Sequence, residues 1–189
     1  MIRKLAAVGL LGAGAVLAQG AFTADELMRG LAATGDSTTE FVETRHSSAL
    51  KTPLVTTGEL RYVRPARLER RVRTPVEERY VVEGDNVTIE RKGSAPRTVS
   101  LASQPALGAF LESIRATLRG DLATLRRFYR VEIEGEPARW TLVLLPSDRE
   151  MADLVSVIRI TGARDRLTGM EVVEAGGDRV VTRFGEGAR

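Results

Sequence analysis

Between Thr38 and Leu101 polar and apolar side chains alternate, interrupted only by short turn signals, and the alternation returns after Phe128. Successive residues of an extended chain point to opposite faces, so a period of two gives each strand one face to bury and one to leave in water. The pattern predicts strands at Thr38–Ser47, Leu54–Arg64, Arg67–Arg73, Glu77–Glu83, Asn86–Arg91 and Arg97–Leu101. A second set is expected at Phe128–Glu134, Arg139–Leu145, Val155–Thr161, Gly169–Val173 and Arg179–Phe184. The breaks carry turn chemistry: Gly84-Asp85-Asn86, Lys92-Gly93-Ser94, Gly135–Pro137, Pro146–Asp148, Ala163–Asp165 and Gly176-Gly177-Asp178. Connections this short make neighbours antiparallel. About eleven such strands exceed what a flat open sheet carries comfortably, so the sheet must curl into a barrel or split into a sandwich.

Three segments leave the two-residue period. Thr23 to Ala33 reads as a short amphipathic helix with Thr23 and Glu26 as a capping box and Leu27, Met28 and Leu31 as its stripe. It is too short to stand alone in water and must pack on the sheet. Ser103 and Pro105 open a longer helix, in which Leu107, Phe110, Leu111, Ile114 and Leu118 recur at helical spacing until Gly120. Asp121–Arg127 adds a further helical turn or two. The stripe on the long helix fits either a core-packing face or a cover over the open end of a sheet.

Met1 to Gly20 has the build of a secretory signal: Arg3 and Lys4, an apolar run from Leu5 to Leu17, then small residues at Ala18 and Gly20. That run is short for a membrane span, so a cleaved secretory signal is expected, with an uncleaved anchor as the alternative. Residues 21–189 are expected to form a single domain acting in a bacterial periplasm. Cysteine is absent and His46 is the only histidine, which leaves no thiolate site, no multi-histidine metal site and no cysteine nucleophile. A net charge of +3 is dispersed among glutamates rather than gathered in a basic stripe, so nucleic acid is not an expected partner. No cofactor and no metal are expected.

The stretch Thr57–Pro75 places two strands on either side of Arg64-Pro65. Pro65 lacks an N–H and belongs at a strand end. Arg64 is thereby set beside an apolar face at the rim of the sheet. It is either a cation at the mouth of a hydrophobic cavity or a solvated arginine at a strand end.

These features together resemble the periplasmic lipoprotein carrier family LolA. The order agrees: signal peptide, short helix, Phe41 on the first strand, G-x-L-x-Y-x-R-P at Gly58–Pro65, Thr74-Pro75, the acidic-Gly turn at Glu83–Asp85, and a helix at Ala106–Leu118. The resemblance implies a mainly β fold, an incomplete (half-open) antiparallel β-barrel of about eleven strands covered by two or three α-helices. It further implies a monomeric carrier that shields acyl chains of lipoproteins, or of a related acylated lipid, between the inner and outer membranes. An inner-membrane lipoprotein-releasing transporter and an outer-membrane acceptor are the implied partners. Arg64 matches the arginine that locks the lid backbone when the cavity is closed, and Leu68 stands where an aromatic residue usually marks the cavity mouth. Phe41, Leu60, Tyr62, Leu68, Phe110, Leu111 and Ile114 are the expected lining of the acyl-chain cavity.

Two other classes compete with this reading. A lipid- or peptide-sensing scaffold module of the envelope could use the same half-barrel. An enzyme is not expected, since Ser47, Ser48, Ser100 and Ser103 sit in no nucleophile elbow and Asp148, Glu150 and Asp153 read as a solvated loop.

Overall fold

A computed structural model describes residues 21–185. The signal-peptide reading of residues 1–20 lies outside them. All eleven predicted strands form, joined in one antiparallel sheet: β1 Ser37–His46, β2 Leu54–Val63, β3 Arg67–Thr74, β4 Glu78–Glu83, β5 Asn86–Arg91, β6 Arg97–Ser100, β7 Tyr129–Glu136, β8 Arg139–Pro146, β9 Val155–Ala163, β10 Arg166–Glu174 and β11 Arg179–Phe184. Their order across the sheet is β6-β5-β4-β3-β2-β1-β11-β10-β9-β8-β7. Every pairing joins sequence neighbours except the one at the centre, where β1 joins β11 from Phe41 opposite Phe184 to His46 opposite Arg179. That one long-range ladder welds two meanders into a single surface. β6 and β7 remain as its free edges, so the barrel is open. The outer edge of β7 carries Glu132, Glu134 and Glu136, charges that discourage further strand pairing.

The helices cover the concave face. α1 (Ala24–Ala33) has the expected capping box, Thr23 accepting from the Glu26 N–H while the Glu26 carboxylate accepts from the Thr23 N–H, and it buries Leu27, Met28 and Leu31. α2 (Pro105–Arg119) begins one residue later than the sequence implied. Its N-cap is Gln104, without a side-chain bond, because Ser103 lies in a 3-10 turn at Leu101–Ser103 and donates to the Ser100 carbonyl instead. α2 ends at Gly120 with φ of 72°, where a Cβ would lie 2.2 Å from the Met28 carbonyl oxygen of α1, so only glycine lets the two helices meet. α3 (Leu122–Phe128) is capped by Asp121.

A fourth helix corrects the expected count of two or three. Asp148 accepts from the Met151 N–H at 2.8 Å and caps α4 (Arg149–Ala152), which drops Met151 into the core. The acidic trio read as a solvated loop is thus partly a helix start. Among the described residues no group of three His, Cys, Asp or Glu side chains is placed to hold a metal ion.

The core is divided. One cluster gathers α1, α3 and strands β7–β10 around Tyr129, Trp140, Leu142, Leu144, Ile158 and Ile160. The Trp140 indole N–H donates to the Arg164 carbonyl at 2.8 Å, so its one polar atom is satisfied in place. The second cluster joins Tyr62, Leu68, Val82, Val87 and Leu101. α2 straddles the two, with Phe110 packed against the first and Leu111, Ile114 and Leu118 against the second.

Candidate functional site: a cavity between the two core clusters

Between the clusters lies a cavity of about 720 Å³, within the ~300–1,000 Å³ usual for small-molecule sites. One wall is the concave side of β2–β5, with Leu60, Leu68, Val82, Val87 and Ile89. The opposite wall comes from β9–β11, with Val155, Met170, Val172 and Val180. α2 forms the roof with Phe110, Leu111 and Ile114, and Leu107 and Leu154 stand exposed at the rim.

The division of labour on α2 follows from its sequence. The face turned to α1 and α3 is small and polar: Ser113, Ala116 and Thr117 are fully buried there, and Thr117 donates to the Ser113 carbonyl at 2.8 Å. Small residues let helices approach closely. The large apolar residues fall on the other face and stay only half-buried, against the cavity. An ordinary core helix would bury its largest side chains and expose its small ones.

Phe41 stands on β1 opposite Gly58 of β2. A Cβ at Gly58 would come within 2.0 Å of the Arg71 carbonyl oxygen and 2.9 Å of the Phe41 ring. The missing side chain is what lets the ring lie across β2 as part of the cavity wall. Arg70 in turn lies over that ring, its guanidinium carbon 4.8 Å from the centroid, in cation–π geometry.

Of the residues expected to line a cavity, Phe41, Leu60, Leu68, Phe110, Leu111 and Ile114 all border this one. Tyr62 does not. Its ring is buried in the β2–β5 cluster, its hydroxyl donates to the Pro65 carbonyl at 2.8 Å, and its edge borders a second cavity of about 670 Å³ beside Leu31 and Leu118. The G-x-L-x-Y spacing puts Tyr62 on the same sheet face as Leu60, but one pleat further along it meets Leu68 and Val82 and is sealed by them.

Arg64 is exposed and donates through Nη2 to the Ala32 carbonyl, while its N–H donates to Asp36 at 2.9 Å. The carbonyl it holds belongs to the last turn of α1, not to α2. The arginine that does hold α2 had no signal in the motif. Arg115 is 6% exposed and donates from Nη1 to the Gly84 carbonyl of the β4–β5 turn at 3.0 Å, with Glu112 at 2.7 Å from Nη2. A cation in the middle of an otherwise small-residue face was the available clue.

An open eleven-stranded antiparallel barrel, helices on its concave face and an apolar cavity under them define a class of half-barrel proteins built around an internal site. The sequence model of the outer membrane lipoprotein carrier protein LolA-like family matches residues 16–189, and the chain belongs to that family. No curated protein matches the sequence. Among solved structures, a LolA superfamily protein from Nitrosomonas europaea is similar at 10% identity and a TM-score of 0.48, over 88% of this chain and 93% of that one. A putative outer membrane lipoprotein-sorting protein domain from Vibrio parahaemolyticus is similar at 9% identity and a TM-score of 0.46, over 86% and 89%. The Mycobacterium tuberculosis lipoprotein LppX is similar at 11% identity and a TM-score of 0.40, over 86% and 93%.

Proposed function

We propose that the protein is a periplasmic carrier that takes acyl chains of lipoproteins, or of a related acylated lipid, into the cavity under α2 and shields them on the way between inner and outer membrane. The observation that carries this reading is the inverted α2, with Ser113, Ala116 and Thr117 buried while Phe110, Leu111 and Ile114 stay half-buried along an apolar cavity. Family membership supports it. Its work is binding and hand-over, not turnover.

The energetics suit a carrier. Burying hydrocarbon is worth about 0.8 kcal/mol per methylene, so one sixteen-carbon chain in water costs roughly 12 kcal/mol. A carrier moves such a chain from one apolar phase to another, so the transfer itself can be nearly neutral. An inner-membrane releasing transporter and an outer-membrane acceptor are the partners this role requires, and a monomer suffices.

Native mass spectrometry with lipid extraction, on mature protein purified from the periplasm, tests the reading. Acyl-lipid adducts are expected on the wild type and their loss on Leu68→Glu, which puts a charge on the cavity wall. A clean apo mass, with no uptake of acylated peptides offered in detergent, sinks the carrier and favours a sensing scaffold.

A further inference from the structure

The cavity is not apolar throughout. Glu43 and Arg45 project into it from β1, the middle strand of the sheet, Arg70 from β3 and Thr182 from β11. Arg70 reaches across β2, passing over Phe41 and Gly58, to place Nη2 3.0 Å from Glu43 Oε1. Thr182 donates to the other oxygen of the same carboxylate at 3.4 Å. Arg70 and Glu43 keep 34% and 20% of their side-chain exposure, and both line the cavity. Among the described residues the remaining N–H groups of Arg70 have no hydrogen-bond acceptor. On either side of this patch the walls are mainly apolar: Leu68, Val82 and Ile89 towards β5, where Tyr80 opposite Arg70 turns its hydroxyl to Glu78, and Met170, Val172 and Val180 towards β9.

A cavity meant for alkyl chains alone gains nothing from such a patch. Filling it with hydrocarbon would strip water from an ion pair and offer no acceptor in return, which is unfavourable. The patch therefore points to a polar group in the ligand, and the charges say which kind. Two guanidiniums, Arg45 and Arg70, share the cavity with three carboxylates, Glu43, Glu150 and Glu174. Arg45 is matched by Glu174 at 2.8 Å as Arg70 is by Glu43. No surplus positive charge is left for an anionic headgroup. What remains is a fork of unused N–H donors, suited to neutral carbonyl oxygens.

Resting on the carrier reading above, we propose that Arg70, oriented by Glu43 and Thr182, receives the ester or amide carbonyl of a neutral two-chain amphiphile, and that its aliphatic chains part into the two apolar lobes. The ligand is thereby held by its acyl linkage within the cavity, with chains on both sides of β1.

The test compares two probes of equal chain length, dipalmitoylglycerol and its diether analogue dihexadecylglycerol, by displacement of a fluorescent aminoanthracene from the mature protein in nonionic detergent. The wild type is expected to prefer the diester about tenfold, the scale of one hydrogen bond to a charged donor. The double variant Glu43→Gln/Arg70→Met, with neither charge left unpaired, should lose the diester preference and bind both probes equally. Equal affinity of the wild type for both probes overturns the carbonyl site but leaves the carrier reading standing. A diester preference retained in the double variant overturns it as well. Failure of the wild type to bind either probe overturns this proposal together with the carrier reading.

Discussion

Replacing Arg115 by Met separates what holds α2 in place from what keeps the protein folded. In the native protein the guanidinium donates to the Gly84 carbonyl at 3.0 Å and forms an ion pair with Glu112 at 2.7 Å. Its Nε is the buried side-chain polar atom left without a partner among the described residues. Losing a hydrogen bond from a charged donor costs about 1.5–3 kcal/mol, and relieving an unsatisfied buried donor returns about 1–3 kcal/mol. Glu112 is not stranded, because Arg119 already holds its other oxygen at 2.6 Å. The Gly84 carbonyl lies in an exposed turn and can turn to water. Methionine fills most of the vacated volume with a flexible apolar chain. The terms nearly cancel, so global stability should move by no more than about 1 kcal/mol. What does not cancel is the tether between α2 and the β4–β5 turn. Amide exchange in Pro105–Arg119 should accelerate about tenfold or more, while β8 and β9 keep their protection. Denaturant titration and peptide-resolved hydrogen exchange read the two quantities separately. Unchanged exchange in α2, or a global loss above about 3 kcal/mol, refutes the reasoning.

Other perturbations probe the same design. Arg64→Leu should leave the fold intact, loosen the last turn of α1 that its guanidinium now holds, and slow release of a loaded acyl chain; transfer at the wild-type rate sinks that role. Gly58→Ala places a methyl against the Arg71 carbonyl and the Phe41 ring, and should cost about 1–3 kcal/mol as an overpacked site while displacing Phe41 from the cavity wall; a neutral effect in thermal unfolding, with probe binding unchanged, contradicts the assigned packing. Hydrogen bonds from Thr124 hold the Asp121 carboxyl below its ordinary 3.8, and the Arg79 guanidinium holds Glu69 below 4.5. Both folded values are depressed, so their stabilisation is complete above the ordinary values and is lost as pH falls through the folded ones. The melting temperature should be flat from neutral pH towards about 4.5 and decline below it, less steeply in Asp121→Asn; an unaltered acid limb in that variant removes Asp121 from the account.

Strand positions and the capping box at Thr23 and Glu26 were legible because both are local: alternation with a period of two, and a side chain meeting a backbone N–H three residues away. So was the apolar roof of α2, since Leu107, Phe110, Leu111 and Ile114 share one helical face whatever they pack against. α4 was missed because four residues are too few to show a period, and its only sign was Asp148 ahead of Met151. Tyr62 was misplaced for a different reason. Alternation says which face a side chain takes, but whether that face is cavity or packed core at a given pleat depends on Leu68 and Val82, brought alongside by β3 and β4.

The chain by itself determined an antiparallel all-β framework with helical cover, a period-two division of faces along each strand, and the choice of α2 as the carrier of large apolar residues. Tertiary structure decided how those faces were shared out. Pairing of β1 with β11 joined the meanders and left the core in two clusters with a cavity between them. It also brought Arg70 to Glu43, Arg115 to Gly84 and Arg64 to Ala32, contacts spanning 27 to 32 residues. Local propensity cannot select partners so far apart in a chain with many scattered arginines. Their geometry is set by the order in which strands pair and by where the helices can close over the sheet.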